Sequence, residues 1–143
     1  MDTKNIYLDT NIVIDMIDNK RSNHIKAKNL WQYLVINQYK IFISEDMLTT
    51  IFYINKDSKK TLEFYKLILL RWQIISFGKD IISEAIELSL NENLDLENTL
   101  QCLCAKNNGC NTLITHDNKF YDCGIDIFTT DEFMEKHNAK KKY

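Results

Sequence analysis

Along this chain, apolar runs of strand length alternate with stretches whose apolar residues recur every three or four positions. Residues 6–8 predict a strand that stops at Asp9, and Val13, Met16 and Ile17 then predict a helix over residues 10–18. Ala27, Leu30, Trp31, Leu34 and Val35 give a second helical stripe. Residues 41–43 read as a buried strand, with Ser44 as N-cap of a helix that carries Met47, Leu48, Ile51 and Phe52. A lysine-rich joint (Lys56, Lys59, Lys60) precedes a helix around Leu62, Tyr65 and Leu69, then a strand over residues 72–77. The spacing predicts a helix over residues 79–90 and another that holds Leu96, Leu100, Leu103 and Cys104 on one face and closes at Gly109. Residues 112–115 and 125–128 have strand length and composition, and Thr129 with Glu132 has the pattern of a capping box that opens a last short helix. The expected organisation is one domain over residues 1–138, followed by a solvated basic tail over residues 139–143.

Strands that are apolar throughout and separated by helices imply an α/β fold with a central parallel sheet covered on both faces. Ligands in such sheets gather at the carboxyl ends of the strands. That rule singles out Asp9, which ends the first strand, and Asp117, two residues beyond Thr115. Asp95 and Glu97 add acids at the start of the helix leading into the later strand.

Length and composition narrow the picture further. With 143 residues, 45% hydrophobic and 27% charged, the chain suits one globular core. No apolar run approaches the ~20 residues needed to cross a bilayer, and no signal-peptide pattern opens the sequence, so a cytoplasmic protein is expected. A formal charge of −2 excludes a broadly basic face, and any RNA contact must come from local patches. Cys102, Cys104, Cys110 and Cys123 are expected to be reduced thiols in that compartment, and the spacing of Cys102 and Cys104 on a helix does not suit zinc.

Carboxylates that converge repel one another unless a divalent cation holds them together. Mg²⁺ or Mn²⁺ on such oxygens can activate water and clamp a phosphodiester for in-line displacement, which is nuclease chemistry. Each acid also has a purely structural reading. Asp9 suits the N-cap of the helix that follows it, Glu97 complements a helix dipole, and Asp117 fits an Asx turn with Asn118 and Lys119.

Four segments, in order, carry a family resemblance over nearly the whole chain. Ile6-Tyr7-Leu8-Asp9-Thr10-Asn11 with its apolar helix is similar to the opening "hhhLDTNhhhD" of PIN domains, and Leu94-Asp95-Leu96-Glu97-Asn98-Thr99-Leu100-Gln101 resembles their "DFEDALQ" segment. Asn108-Gly109-Cys110-Asn111-Thr112-Leu113-Ile114-Thr115-His116-Asp117 resembles "xGCDxhhTRN", and Ile127-Phe128-Thr129-Thr130-Asp131-Glu132-Phe133 resembles the closing "hLTPEEF". The resemblance implies a three-layer PIN-like fold with an acidic cleft that binds Mg²⁺ or Mn²⁺ and cuts RNA. Many bacterial members are VapC-type toxins, inhibited by a small antitoxin and commonly homodimeric. Carried over residue by residue, it implies Asp9 and Asp117 as metal ligands, Asn98 as a neutral ligand or water positioner, and Glu97 as a substitute acid. The family's central acid falls at Asn98, and another falls near Thr50.

Two functional readings follow: a Mg²⁺/Mn²⁺-dependent endoribonuclease of a toxin–antitoxin pair, or a PIN-fold protein of weakened activity that acts by binding protein or RNA. Of the remaining residues, His116 reads as a surface histidine or a phosphate contact, and Asn11 as a brace for the Asp9 turn. Lys56, Lys59 and Lys60 read as a solvated joint or an RNA backbone contact, and Trp31 and Trp72 as core.

Overall fold

The computed structural model describes residues 4–117 and 120–141, the last four of these as backbone alone. Among the described residues, β1 (Asn5–Leu8), β2 (Lys40–Ser44), β3 (Gln73–Ile75), β4 (Thr112–Ile114) and β5 (Asp126–Phe128) form one sheet in the order β3-β2-β1-β4-β5. All four neighbouring pairs are parallel. The helices are α1 (Thr10–Ile17), α2 (His24–Ile36), α3 (Asp46–Ile54), α4 (Ser58–Leu69), α5 (Gly78–Glu92), α6 (Leu96–Asn107) and α7 (Thr130–Lys141).

Parallel neighbours cannot be joined by tight hairpins, so helices fill most of the crossovers. The chain steps from β1 to β2 to β3 through α1 to α4, then returns across the sheet to β4 through α5 and α6. Right-handed crossovers running in opposite directions place their helices on opposite faces, which yields three layers. Ile6, Tyr7, Leu8, Ile43, Leu113 and Ile114 are consequently all but sealed from solvent, each such side chain contributing about 1.5–3 kcal/mol on burial. A smaller apolar cluster of Ile81, Ala85, Cys102, Leu103 and Cys123 lies around α5 and α6. The two directions of travel part between β1 and β4, and that switch point is where an open parallel sheet offers a crevice.

Every element expected from hydrophobic spacing is present, and the capping box is formed. The Thr129 amide donates to Glu132 Oε1 at 2.9 Å and the Glu132 amide to Thr129 Oγ1 at 3.1 Å. Helix α7 continues to Lys141, so its backbone runs through the start of the basic tail, whose last two residues lie outside the described ones.

Two local expectations are corrected, and the buried face of α4 is defined. Ser44 does not cap α3: it is buried at the end of β2, paired with Ile75, and Glu45 takes the cap position without a side-chain bond. The buried face of α4 is Thr61 and Ile68, with Phe64 and Tyr65 beside them, while Leu62 and Leu69 are 50% and 64% exposed. Thr61 can occupy the core because its hydroxyl donates to the Asp57 carbonyl at 2.9 Å. Lastly, Cys102 and Cys123 are joined in a disulfide, leaving Cys104 and Cys110 as buried thiols. Compartment reasoning treats all four sulfurs alike, whereas the fold brings Cys102 and Cys123 from different elements to a Cα separation of 6.0 Å, within bonding range.

Candidate active site

Asp9 and Thr115 occupy equivalent positions on adjacent strands. Leu8 pairs with Ile114, and the Asp9 amide donates to the Ile114 carbonyl at 3.0 Å, so the next residues on β1 and β4 emerge side by side at the switch point. The Thr115 hydroxyl donates to Asp9 Oδ2 at 2.7 Å, and Asp9 Oδ1 accepts from the Thr10 amide at 2.8 Å. Asp9 is therefore the N-cap residue of α1 and a site residue at once.

Thr115 Oγ1 also accepts the Asp117 amide at 3.0 Å, and Asp117 Oδ2 accepts from Asn98 Nδ2 at 2.8 Å. Asn98, Asp117, Thr115 and Asp9 thus form one hydrogen-bonded chain from the first turn of α6 to the start of α1. The residues that follow Asp117 in the Asx-turn reading, Asn118 and Lys119, lie outside the described residues. Helix α6 is fixed over the sheet from below, since the hydroxyl of the fully buried Tyr7 on β1 donates to Gln101 Oε1. At its start, Asp95 is the N-cap, accepting the Asn98 amide at 2.9 Å. Asp95 thereby fixes the first turn of α6, on which Asn98 reaches Asp117.

Electrostatics bind these groups more widely. Asp9 is only 7% exposed, and burial pushes its carboxyl above the ordinary range, against the bonds from Thr115 and Thr10. The Asp117 charge pushes the same way. Partial burial also raises Glu97, reinforced by the fields of Asp9, Asp46 and Asp95. Glu97 thus feels the charges of the acidic cleft but does not join the hydrogen-bonded chain.

Sequence reasoning missed two acids. Asp46 opens α3 just beyond β2, and its field reaches Glu97, while Thr50, one turn later, bonds back to the Asp46 carbonyl at 3.4 Å. Its place after a strand was the available signal. Asp15, 1% exposed in the apolar α1, pairs with Arg21 Nε at 2.6 Å and His116 Nε2 at 3.1 Å. An acid inside an otherwise buried helix was the signal there. His116 is thus a strut between α1 and the Asp117 segment, which replaces the reading of a lone surface histidine. Asn11 is exposed, and among the described residues its side chain makes no hydrogen bond, so Thr10 and Thr115 brace Asp9 instead.

The donor set is hard: two carboxylates and an amide, with Glu97 nearby. Among the described residues no three His, Cys, Asp or Glu side chains converge on one point. Mg²⁺ commonly takes one or two carboxylates, water and substrate phosphate rather than an all-protein cage, so these residues fit such an ion sparingly.

The PIN domain family model matches residues 6–125. The chain belongs to the PIN domain family. It is 34% identical to Ribonuclease VapC1 of Aquifex aeolicus over 97% of this chain and 99% of that protein. Among solved structures, Mycobacterium tuberculosis VapC20, described as a sarcin-ricin loop cleaving toxin, superposes with a TM-score of 0.68 at 14% identity, over 84% of this chain and 95% of that one. VapBC2 from Rickettsia felis, bound to a promoter DNA fragment, gives 0.65 at 22% identity over 87% and 96%. At those identities the structural likeness speaks for the PIN fold, in agreement with the three-layer parallel architecture.

Proposed function

We propose that this PIN-domain protein is a divalent-metal-dependent endoribonuclease, the toxin of a toxin–antitoxin pair, acting in the cytoplasm on RNA phosphodiesters. The observation that carries this reading is the chain Asp9–Thr115–Asp117–Asn98 at the switch point of the sheet. Its likeness along the whole chain to Ribonuclease VapC1 supports the same chemistry.

Asp9 and Asp117 would hold Mg²⁺ or Mn²⁺, with the Asn98 amide oxygen as a neutral third donor or a positioner of water. Such an ion supplies Lewis-acid polarisation of the phosphodiester. The chain's own residues do the rest. Thr115 orients Asp9 and the Asp117 backbone together, and the apolar layers beneath keep the cleft geometry fixed. Glu97, its affinity for protons raised, would accept one from an attacking water. Lys20, Arg21, Lys56 and Lys60 line a cavity of about 410 Å³ at the far end of α1 together with Asp18 and Asp57, and its four cations against two carboxylates would favour an RNA backbone there.

Exposed apolar side chains fit an antitoxin and a second copy of the chain. Tyr53 and Leu70 are 86% and 84% exposed, with Ile54 and Leu69 beside them in sequence. No helix among the described residues is long and apolar enough to cross a membrane.

One observation favours a second reading, a weakened enzyme that acts by binding. Asn98 brings no charge and gives its amide hydrogen to Asp117, as though standing in for a cation. Cleavage of a labelled structured RNA in Mn²⁺, Mg²⁺ and EDTA, with native chain and Asp9→Asn prepared identically, separates the two. Metal-dependent cutting lost in the variant is expected; equal background from both would select the binding protein.

A further inference from the structure

Asn98, Cys102 and Lys106 stand four residues apart on α6 and so form one stripe along the helix. All three touch the connection between β4 and β5, at Asp117 and at Cys123. Asn98 Nδ2 donates to Asp117 Oδ2 at 2.8 Å, Cys102 is bonded to Cys123, and Lys106 Nζ donates to the Cys123 carbonyl at 3.0 Å. Only the middle tether is covalent. It is also sheltered, packed among Ile81, Ala85 and Leu103 with Phe120 and Tyr121 against it.

We propose that Cys102 and Cys123 form a reversible thiol–disulfide clamp that fixes the Asp117 segment against α6, closed by a low-molecular-weight disulfide such as oxidised glutathione. Cys102 is fully buried and Cys123 is 7% exposed, so the first exchange falls on Cys123. Its thiolate attacks one sulfur of the glutathione disulfide, forming a mixed disulfide and releasing a glutathione thiolate that takes up the proton. The Cys102 thiolate then attacks the Cys123 sulfur and expels the second glutathione, which takes the second proton. Two electrons and two protons pass from the cysteine pair to the glutathione disulfide, leaving one protein disulfide and two glutathione thiols.

The other two cysteines do not compete. Burial holds the Cys104 thiol at about 11 and the Cys110 thiol at about 12, and they lie on the opposite side of α6 and beyond its end. With the clamp open, no covalent link between α6 and the segment remains among the described residues, and the Asn98 and Lys106 hydrogen bonds hold it together with the apolar packing of Phe120 and Tyr121.

Hydrogen exchange on the full native chain, poised in oxidised or in reduced glutathione, tests the clamp. In oxidised glutathione, alkylation after unfolding should mark Cys104 and Cys110 and spare Cys102 and Cys123. Exchange of amides in residues 115–117 and 120–125 by local opening should slow by about tenfold relative to the reduced chain. Cys123→Ser should show the fast rate in both buffers. Alkylation of all four thiols in excess oxidised glutathione, or equal exchange in the two states, overturns the proposal. RNA cleavage in the same buffers adds an arm that rests on the nuclease reading: the oxidised chain should cut faster, and equal rates would overturn the link to Asp117. Absence of cleavage in both states would count against the nuclease reading, and the exchange difference would still decide the clamp.

Discussion

The two carboxylates at the centre of the cleft are held by opposite means. Asp9 follows directly from a buried strand into a helix, both of its oxygens are engaged, and its backbone is paired with β4. Asp117 sits on an irregular segment whose position comes from side chains: Thr115, Asn98, and the Asp15–His116 pair one residue away. A carboxylate built into the sheet is placed by the fold itself, whereas one on a connection is placed by whatever reaches across to it. The first tolerates little change, and the second can be tuned.

Removing the rigid partner should have the largest effect. Asp9→Asn should lower RNA cleavage by about a hundredfold or more, measured in single turnover with Mn²⁺. Its stability should move the other way. Burial raises the folded-state carboxyl above its unfolded value, so the ionised form is the disfavoured one. That group contributes stability below the unfolded pKa and loses it as pH rises through the folded pKa. In EDTA, therefore, Asp9→Asn should melt higher than the native chain near pH ~7, with the difference shrinking toward pH ~4. A variant that melts lower at neutral pH would mean that the carboxylate is stabilised where it stands.

Opening the Cys102–Cys123 bond acts on the tunable side. A cross-link closing a loop of this length, 21 residues apart in sequence, constrains the unfolded chain by about 3 kcal/mol. Chemical denaturation with and without reductant should show a loss of that order. Thr115→Val cuts the link between the two sides, removing the donor to Asp9 and the acceptor for the Asp117 amide. A loss of about 2 kcal/mol is expected by urea titration, together with a roughly tenfold fall in cleavage. Asn98→Asp is the mildest change and the most specific. Without metal it replaces a hydrogen bond to Asp117 with a repulsion and should cost about 1 kcal/mol. Mn²⁺ should reverse the loss and bind more tightly, by titration calorimetry. Unchanged affinity would separate Asn98 from the cation site.

Much of this comparison was legible in the order of residues. Asp9 and Asp117 stood out because each follows an apolar run of strand length, and Asn98 because it fills a family acid's place. Asp46 obeys the same rule after β2, but Ser44 before it has the pattern of a helix cap, which hides the true end of the strand. In α4 the apolar Leu62 and Leu69 lie one step out of phase with the buried face, because the polar Thr61 enters the core with its hydroxyl bonded to the Asp57 carbonyl. The cysteine pairing was illegible for a different reason: compartment and helix spacing say nothing about which sulfurs meet.

What the sequence by itself determined is whatever depends on neighbours within about one helical turn: the periodicity of each element, the Thr129–Glu132 capping box, and the acids that close β1 and follow β4. What the tertiary structure decided is every meeting across a crossover. Thr115 reaches Asp9 from 106 residues away, His116 reaches Asp15 from 101, and Cys123 reaches Cys102 from 21. Those contacts depend on strand order and register, because a parallel sheet whose chain reverses direction brings the ends of distant strands side by side, and no local pattern encodes which ends they will be.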